Sequence, residues 1–221
     1  MDENIKLKDS NKSLENQIKI ISDKIDNNNK TNNIFSCLSS SYFDIFKSSS
    51  ILHNYINGQK LICNWIKYKM NKDEIKFELI FKMSVNGYKG SDFHTFCNNK
   101  RPTLILIKSS GNKIFGGFTP LDWGKKEYPI DETKNTFIFS LNINKKFDIK
   151  NNSKYTIRCT KNEGPVFGNC DIKLGNDLRK VESYANKDSY FLSENNLELT
   201  GGKGTYESLD TEELEVFEVI Y

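Results

Sequence analysis

Residues 101–123 read RPTLILIKSSGNKIFGGFTPLDW and predict two β-strands joined by a tight turn. The run LILI at residues 104–107 is wholly apolar, which is typical of a strand that is buried on both faces. Gly111 lies in the turn, where glycine tolerates a positive φ. The pair Gly116-Gly117 lies inside the second strand, where it indicates a bulge or a close approach of another backbone. The stretch therefore predicts a central β-hairpin.

Further strands are predicted on both sides of this hairpin. Residues 76–83 alternate apolar and charged side chains, the pattern of a half-buried strand. Residues 177–195 show no clean period and predict a loop. The acidic side chains of residues 207–218 are interpreted as a solvated face at a charged sheet edge, which blocks association with other sheets. The predicted strands after the hairpin lie in residues 135–141, 155–159, 171–174 and 213–221.

Helices are predicted before the hairpin. Residues 51–69 form an amphipathic pattern in which Trp65 is a core residue and Gly58 is a break between two segments. Ser91 is the expected N-cap of a short helix over residues 92–97. Its inward-facing side chains are Phe93 and Phe96. Short strands with helices grouped before them favour the α+β class, as a two-sheet antiparallel β-sandwich with flanking helices.

The N-terminal part of the chain predicts a coiled-coil helix. Residues 5–26 repeat core positions at alternating spacings of four and three, over roughly three heptads. Asn11 occupies one core position, where asparagine can fix the register. A lone amphipathic helix docked on the globular part is the alternative. The apolar core positions are Leu7, Leu14, Ile18, Ile21 and Ile25.

These patterns divide the chain into three parts. Residues 1–26 are expected to form the coiled-coil helix, and residues 27–49 an Asn- and Ser-rich linker. Residues 50–221 are expected to form the folded domain. The coil would then give the chain a route to a homo-oligomer.

The amino-acid composition limits the kind of binding partner and the cellular compartment that we expect for this chain. The 221 residues include 32 basic and 29 acidic side chains, so a net charge of +3 gives no electrostatic reason to expect a nucleic-acid partner. A nucleic-acid binder that uses the lysines of residues 67–82 is the weakest alternative. Five cysteines without a CxxC pair favour reduced thiols in an intracellular protein. No secretory signal and no apolar run that could form a transmembrane helix are evident, so a cytoplasmic location is expected.

The sequence shows no catalytic or metal-binding set. Asp92 and His94 would lie about 200° apart around a helix, the wrong geometry for a Ser-His-Asp arrangement. His94 and Cys97 share a helix face, but no third or fourth metal ligand occurs at useful spacing. Gly116-Gly117 lacks the Lys-Ser/Thr of a phosphate-binding loop. We therefore expect no enzyme, no cofactor and no metal. A thiol-based redox protein or other enzyme that uses Cys97 or Cys170 is the alternative.

Several segments occur in a recognisable order. The central hairpin is followed by FIFSL at residues 137–141, GPVFGNCDI at 164–172 and ELEVFEV at 213–219. It is preceded by WI at residues 65–66 and FELIFKMSVNGYKGSDFHTFCNNK at 77–100. This series resembles the successive motifs of the TLDc domain family over roughly residues 50–221. The chain departs from the family pattern at two places. One is Arg101, where the family has glycine, and the other is the segment Gly168-Asn169-Cys170-Asp171.

The resemblance implies both a fold and a function. It implies a two-sheet β-sandwich with flanking helices and no established catalytic centre. The family is associated with resistance to oxidative stress, and its better-defined members bind the peripheral, ATP-hydrolysing part of the vacuolar proton pump. By resemblance, the chain is therefore expected to be a protein-binding module with vacuolar ATPase subunits as partners. The motif positions expected to have a structural or partner-contact role are Gly116, Gly117, Trp123, Gly164, Gly168 and Asp171.

Overall fold

The computed structural model describes residues 45–184, 189–192, 196–197, 199–200, 202–203 and 206–221. All of these residues belong to one compact unit, Ile45–Tyr221. The predicted coiled coil, with its core positions Leu7, Leu14, Ile18, Ile21 and Ile25, lies outside the described residues, as does the predicted linker up to residue 44.

The described unit begins with helices and continues as strands. The first elements are α1 (Ile56–Met70), β1 (Lys76–Lys82), α2 (Met83–Asn86) and α3 (Gly90–Cys97). The next strands are β2 (Thr103–Ser109), β3 (Lys113–Thr119), β4 (Phe137–Ser140), β5 (Lys145–Asp148), β6 (Ile157–Arg158) and β7 (Val166–Phe167). The last are β8 (Ile172–Leu174), β9 (Lys180–Tyr184), β10 (Asn196–Leu197), β11 (Gly202–Lys203) and β12 (Tyr206–Ile220). This mostly antiparallel β structure with a few helices confirms the α+β class.

The prediction of two separate sheets is wrong. Ten strands form one hydrogen-bonded sheet in the order β5-β4-β3-β2-β12-β9-β8-β7-β6, with β1 also paired to β12. β10 and β11 form a separate two-stranded ribbon. The cause is the length of β12, whose 15 residues pair with β9 over residues 206–210 and with β2 over residues 211–218. β12 therefore joins a first half of the sheet (β1–β5) to a second half (β6–β9).

The two halves of the sheet share one hydrophobic core. Ile105 and Phe115 of the first half lie in the same buried cluster as Phe167 and Leu174 of the second half. The ring of Trp123 packs edge-to-face on Phe167, with 5.6 Å between centroids. The halves therefore pack on each other although hydrogen bonds connect them through β12.

The predicted central hairpin is confirmed. β2 and β3 pair antiparallel in regular register over all seven residues of each strand. The turn contains Gly111 at φ 76° and Asn112 at φ 56°, both in the left-handed region. The regular register leaves no bulge at Gly116 or Gly117.

Helix α1 covers the outer face of the first half. The ring centroid of Trp65 lies 6.3 Å from that of Phe137 and 6.0 Å from that of Phe139. The helix begins at Ile56 rather than at residue 51, and Gly58 lies inside it, so the predicted break is wrong. A Cβ at Gly58 would stand 2.9 Å from Leu141 Cδ1, so the missing side chain allows the helix to approach the sheet closely.

The predicted boundary of the short helix also differs from the structure. α3 begins at Gly90, and its N-cap is Lys89 rather than Ser91. The backbone N–H of Lys89 donates to Asp92 Oδ2 at 3.0 Å, which satisfies a backbone donor at the start of the helix. Phe93 is buried as predicted, whereas Phe96 is 40% exposed.

Two predictions for the last third of the chain are wrong. Residues 177–195 were expected to form a loop, yet Lys180–Tyr184 is strand β9, whose buried side chains, Val181 and Ser183, alternate with partly or fully exposed ones. The acidic C-terminal strand was expected at a solvated edge, yet its last part is paired with β1 on one side and β2 on the other. Glu215 is consequently fully buried.

Candidate functional site

Helix α3 has one face in the core and another face along a cleft. Phe93 and Cys97 are completely buried. Four polar residues of α3 and its C-cap line the cleft, and they form two pairs four positions apart, a spacing that places the members of a pair on one side of a helix. They are Ser91, His94, Thr95 and Asn98.

His94 holds the wall of the cleft together. Its Nδ1 lies 2.7 Å from Asn98 Oδ1, and its Nε2 lies 3.0 Å from the backbone oxygen of Thr160. The ring is only 8% exposed. It therefore ties α3 to the segment that follows β6, and both of its nitrogens already have protein partners.

Trp123 forms the floor of the cleft. Its Nε1–H donates to Thr103 Oγ1 at 2.9 Å, and its ring is 1% exposed. The ring packs edge-to-face on Phe93 of α3 and on Phe167 of β7. The motif residue thereby connects the helix to both halves of the sheet.

The loop that carries Trp123 is fixed by the preceding carboxylate. Asp122 Oδ1 accepts hydrogen bonds from the backbone N–H of Asn99 at 3.0 Å and of Gly124 at 2.8 Å. The Asp122 side chain is 4% exposed, and Lys125 Nζ lies 3.9 Å from Oδ2. This carboxylate therefore has a structural role, with its charge largely hidden from solvent.

The cleft between these elements has a volume of about 550 Å³, within the range of protein ligand sites. Its described lining combines buried and exposed groups, and none of them is acidic. Lys161 is the cation of this lining and is exposed. The lining residues are Ser91, His94, Thr95, Asn98, Trp123, Gly124, Cys159 and Lys161.

Three thiols are buried or partly buried and resist ionisation. Burial raises the pKa of Cys63 and of Cys159 to about 12, because a thiolate there would lose its hydration. Burial also raises the pKa of Cys97 well above its usual range. The thiol of Cys97 is fully buried, so neither access nor ionisation favours it as a nucleophile.

Cys170 lies in a different environment. It has φ 69° in the turn between β7 and β8. Arg158 Nη1 lies 3.7 Å from its Sγ, and the same guanidinium donates to both carboxylate oxygens of Glu163, at 3.0 and 2.9 Å. The guanidinium is therefore already paired with a carboxylate.

The paired glycines of β3 have different neighbours on the two faces of the sheet. A Cβ at Gly116 would collide with the backbone oxygen of Ile105 on the adjacent strand. A Cβ at Gly117 would stand 2.6 Å from Phe167 Cζ. Gly117 and Trp123 thus meet at Phe167, whereas Gly116 lies on the other face.

The later motif positions form a second group. Gly164 packs against Leu174 and Leu178. Gly168 has φ 63°, and a Cβ there would meet the carboxylate of Asp171. Asp171 is fully buried, and its backbone oxygen accepts a hydrogen bond from Ser183 Oγ at 2.9 Å. These residues do not line the cleft described above.

A polar cluster around Glu215 was not predicted from the sequence. Its carboxylate accepts hydrogen bonds from the Ser50 backbone N–H at 2.7 Å, from Ser50 Oγ at 2.8 Å and from Ser49 Oγ. Lys82 Nζ lies 3.4 Å away. The alternation of ELEVFEV could have signalled one inward-facing glutamate, but not which segment would cover it.

The described residues do not group His, Cys, Asp or Glu side chains in a way that could hold a metal ion. His94 and Cys97, the pair considered from the sequence, are engaged with protein oxygens and buried in the core, respectively. Two lysines of the 67–82 region are also engaged, Lys69 with Asp148 at 2.9 Å and Lys82 with Glu215. This leaves fewer free cations in that region for a polyanion.

These features define a β-rich α+β domain with a cationic surface cleft. The family model of the TLDc domain matches residues 45–220, and the chain belongs to this family. The matched region begins at the same residue as the compact unit, Ile45. A comparison with curated proteins finds no match. In the part of the chain that the structure describes, no helix is both long and apolar enough to span a bilayer.

Proposed function

We propose that this chain is a non-enzymatic, cytoplasmic protein-interaction module of the TLDc type. Its partner is the peripheral, ATP-hydrolysing part of the vacuolar proton pump, and its role includes protection against oxidative stress. The observation that carries the proposal is the TLDc match over residues 45–220. The pump and the stress role come from the better-defined members of the family.

The geometry of the described residues supports a binding role over a catalytic one. The groups with catalytic potential are used structurally: His94 bridges α3 to Thr160, and Asp122 fixes its own loop. A redox role for Cys97 is opposed by its burial and raised pKa. An open cleft with a cationic rim is instead suited to a partner's side chains.

The decisive experiment is affinity purification of the tagged full chain from its source cell, under conditions that preserve the pump, followed by mass spectrometry. Recovery of subunits of the ATP-hydrolysing part is the expected result. A purification that retains intact pump in the lysate but recovers none of its subunits would contradict the proposed partner. Cells lacking the chain should also show greater sensitivity to peroxide than cells in which it is restored.

The proposed domain organisation is tested separately. We propose a coiled-coil helix at residues 1–26, a linker at 27–49 and the TLDc domain at 50–221, with the coil forming a homo-oligomer. Sedimentation equilibrium of the full chain should give a larger number of chains per particle than a variant lacking residues 1–33. Equal numbers would show that the coil does not set the oligomeric state.

A further inference from the structure

We propose that the cleft between α3 and the segments at residues 122–124 and 159–161 binds a glutamate-containing segment of the protein partner. The glutamate carboxylate would lie at Lys161, with the hydroxyls of Ser91 and Thr95 near it. This inference rests on the proposed function in taking a protein as the occupant. It adds the chemistry that the partner must present.

Charge is the first argument for an acidic occupant. Lys161 lines the cleft, and Lys125 and Lys126 directly follow its lining residue Gly124. All three lysines are exposed, and neither Lys126 nor Lys161 forms an ion pair with a described residue. The rim therefore carries cations that internal pairing does not neutralise, which favours an anionic partner.

Three acidic groups in the segments around this rim are already engaged, whereas Glu127, which follows Lys126, is exposed. Asp122 is buried under its own backbone hydrogen bonds. Glu163 is paired with Arg158 in a two-point contact. The carboxylate of Asp92 accepts the Lys89 N–H at the start of α3. None of these three groups is free to satisfy the Lys161 ammonium.

The division of the lining favours a glutamate side chain over a free inorganic anion. The floor consists of the Trp123 ring and the Cys159 thiol, whereas Ser91, Thr95 and Lys161 are exposed at the rim. The methylene groups of a glutamate can cover the apolar part of the lining, which includes the partly exposed Cys159 thiol, while its carboxylate reaches the ammonium. A phosphate ion would leave that apolar surface uncovered.

The inference is tested with the isotope-labelled full chain and two short synthetic peptides. One peptide is rich in glutamate, and the other carries glutamine at the same positions. Titration with the glutamate peptide should shift the backbone amide resonances of Ser91, Thr95, Gly124 and Lys161, and added salt should weaken binding. The glutamine peptide should bind at least about threefold more weakly. Equal binding of the two peptides, or shifts confined to other residues, would overturn the inference.

Variants identify the cation that carries the recognition. Lys161→Gln should weaken binding of the glutamate peptide about 3- to 10-fold, since it removes one charge-assisted contact. Thr95→Glu places a negative charge on the rim and should weaken binding by a similar factor. Lys76→Gln is the matched control, because Lys76 is also exposed and does not line the cleft. Unchanged affinity in both rim variants would refute the assignment.

Two further outcomes separate this inference from the proposed partner. If Lys161→Gln recovers the pump as well as the native chain does, the cleft is not the recognition site, whereas the proposed function stands. If the glutamate peptide binds at the cleft but no pump subunit is recovered, the inference stands and the partner is a different acidic protein. Complete displacement of the peptide by an equal concentration of acetate or phosphate would mark a small-anion site and overturn the inference.

Discussion

The buried carboxylate of Glu215 offers the sharpest test of how this fold is held together. It lies in the middle of β12 with no solvent exposure. Its oxygens accept hydrogen bonds from Ser49 and Ser50, in the segment that precedes α1, and Lys82 of β1 supplies the nearby positive charge. One side chain thus joins β1, β12 and the first described residues of the chain. The informative substitutions are Glu215→Ala and Glu215→Gln.

The expected cost follows from the groups that would lose their partner. Glu215→Ala leaves the Ser49 hydroxyl and the Lys82 ammonium near an empty, water-poor site. Breaking a buried charge pair by removing one partner costs about 3–5 kcal/mol of unfolding free energy. A domain of this size loses roughly 2–4 °C of Tm per kcal/mol, so Tm should fall by about 6–20 °C. Glu215→Gln keeps one acceptor oxygen, but its amide NH₂ replaces the other oxygen and faces groups that are themselves hydrogen-bond donors. This variant should lower the free energy of unfolding by about 1.5–3 kcal/mol.

The measurement is urea unfolding followed by tryptophan fluorescence, since both tryptophans, Trp65 and Trp123, lie in the described domain. Glu212→Ala is the matched control, because Glu212 lies on the same strand, is 43% exposed and pairs with Lys108 at 2.9 Å. Its loss should cost no more than about 1 kcal/mol. If Glu215→Ala is as mild as Glu212→Ala, the buried carboxylate does not hold the segment, and the reasoning fails.

Two further predictions concern the core. Gly117→Ala places a methyl group against the Phe167 ring and should lower the free energy of unfolding by about 1–3 kcal/mol in the same assay. Gly175→Ala is the control, because no atom lies within 4 Å of a Cβ added at Gly175. Equal effects of the two variants would contradict the packing argument. The pKa of Cys63 and of Cys159 is raised to about 12 in the folded chain, above the value of about 8.5 in unfolded chains, so the unfolded chain loses these protons first. The free energy of unfolding should therefore fall as pH rises from about 8.5 toward 12, by up to about 1.4 kcal/mol per pH unit for each thiol. Urea unfolding at a series of pH values measures this profile, and Cys159→Ala should reduce its slope. An unchanged slope would refute the assignment.

The central hairpin was predictable because its signals are local. The apolar run at residues 104–107 needs burial on both faces, and Gly111 supplies the turn conformation within the same stretch. Strand β1 was equally predictable, since Phe77, Leu79 and Phe81 alternate with other side chains, although Ile80 interrupts the pattern where the register shifts. β5 was missed because its sequence KKFD offers a single apolar residue, Phe147. Its strand conformation depends on pairing with β4.

The sheet topology depended on information that a local pattern does not carry. β9 contains Lys180 and Glu182 between its buried positions, and its strand conformation is stabilised by pairing with β8 and with β12. The full extent of β12 was hidden for the same reason, because residues 206–212 are mostly polar. The sequence therefore predicted only a short C-terminal strand, although β12 pairs with strands in both halves of the sheet. The two-sheet prediction came from the short strands with helices before them and from the family resemblance, and neither shows that one strand pairs in both halves.

The candidate cleft could not be predicted from any single segment. Its walls come from α3, from the loop around Trp123 and from the segment after β6, which are far apart in the sequence. His94 was considered as a metal ligand, but its role depends on Thr160, 66 positions away. Trp123 was identified by resemblance alone. Its hydrogen bond to Thr103 and its packing on Phe167 explain why a tryptophan suits that position.

The charges of β12 have a consequence for the cleft. The sequence suggested an acidic solvated face, but each of its six carboxylates has a close partner. The partners are Lys113 for Glu207, Lys180 for Asp210, Lys108 for Glu212, Ser84 for Glu213, Lys82 for Glu215 and Lys100 for Glu218. Five of these pairs join opposite charges, so the field of β12 falls off steeply away from the strand. Lys126 and Lys161 have no such partner among the described residues. The near balance of 32 basic and 29 acidic residues therefore conceals an uneven distribution, in which β12 is compensated and the cleft keeps a positive charge that an acidic partner can use.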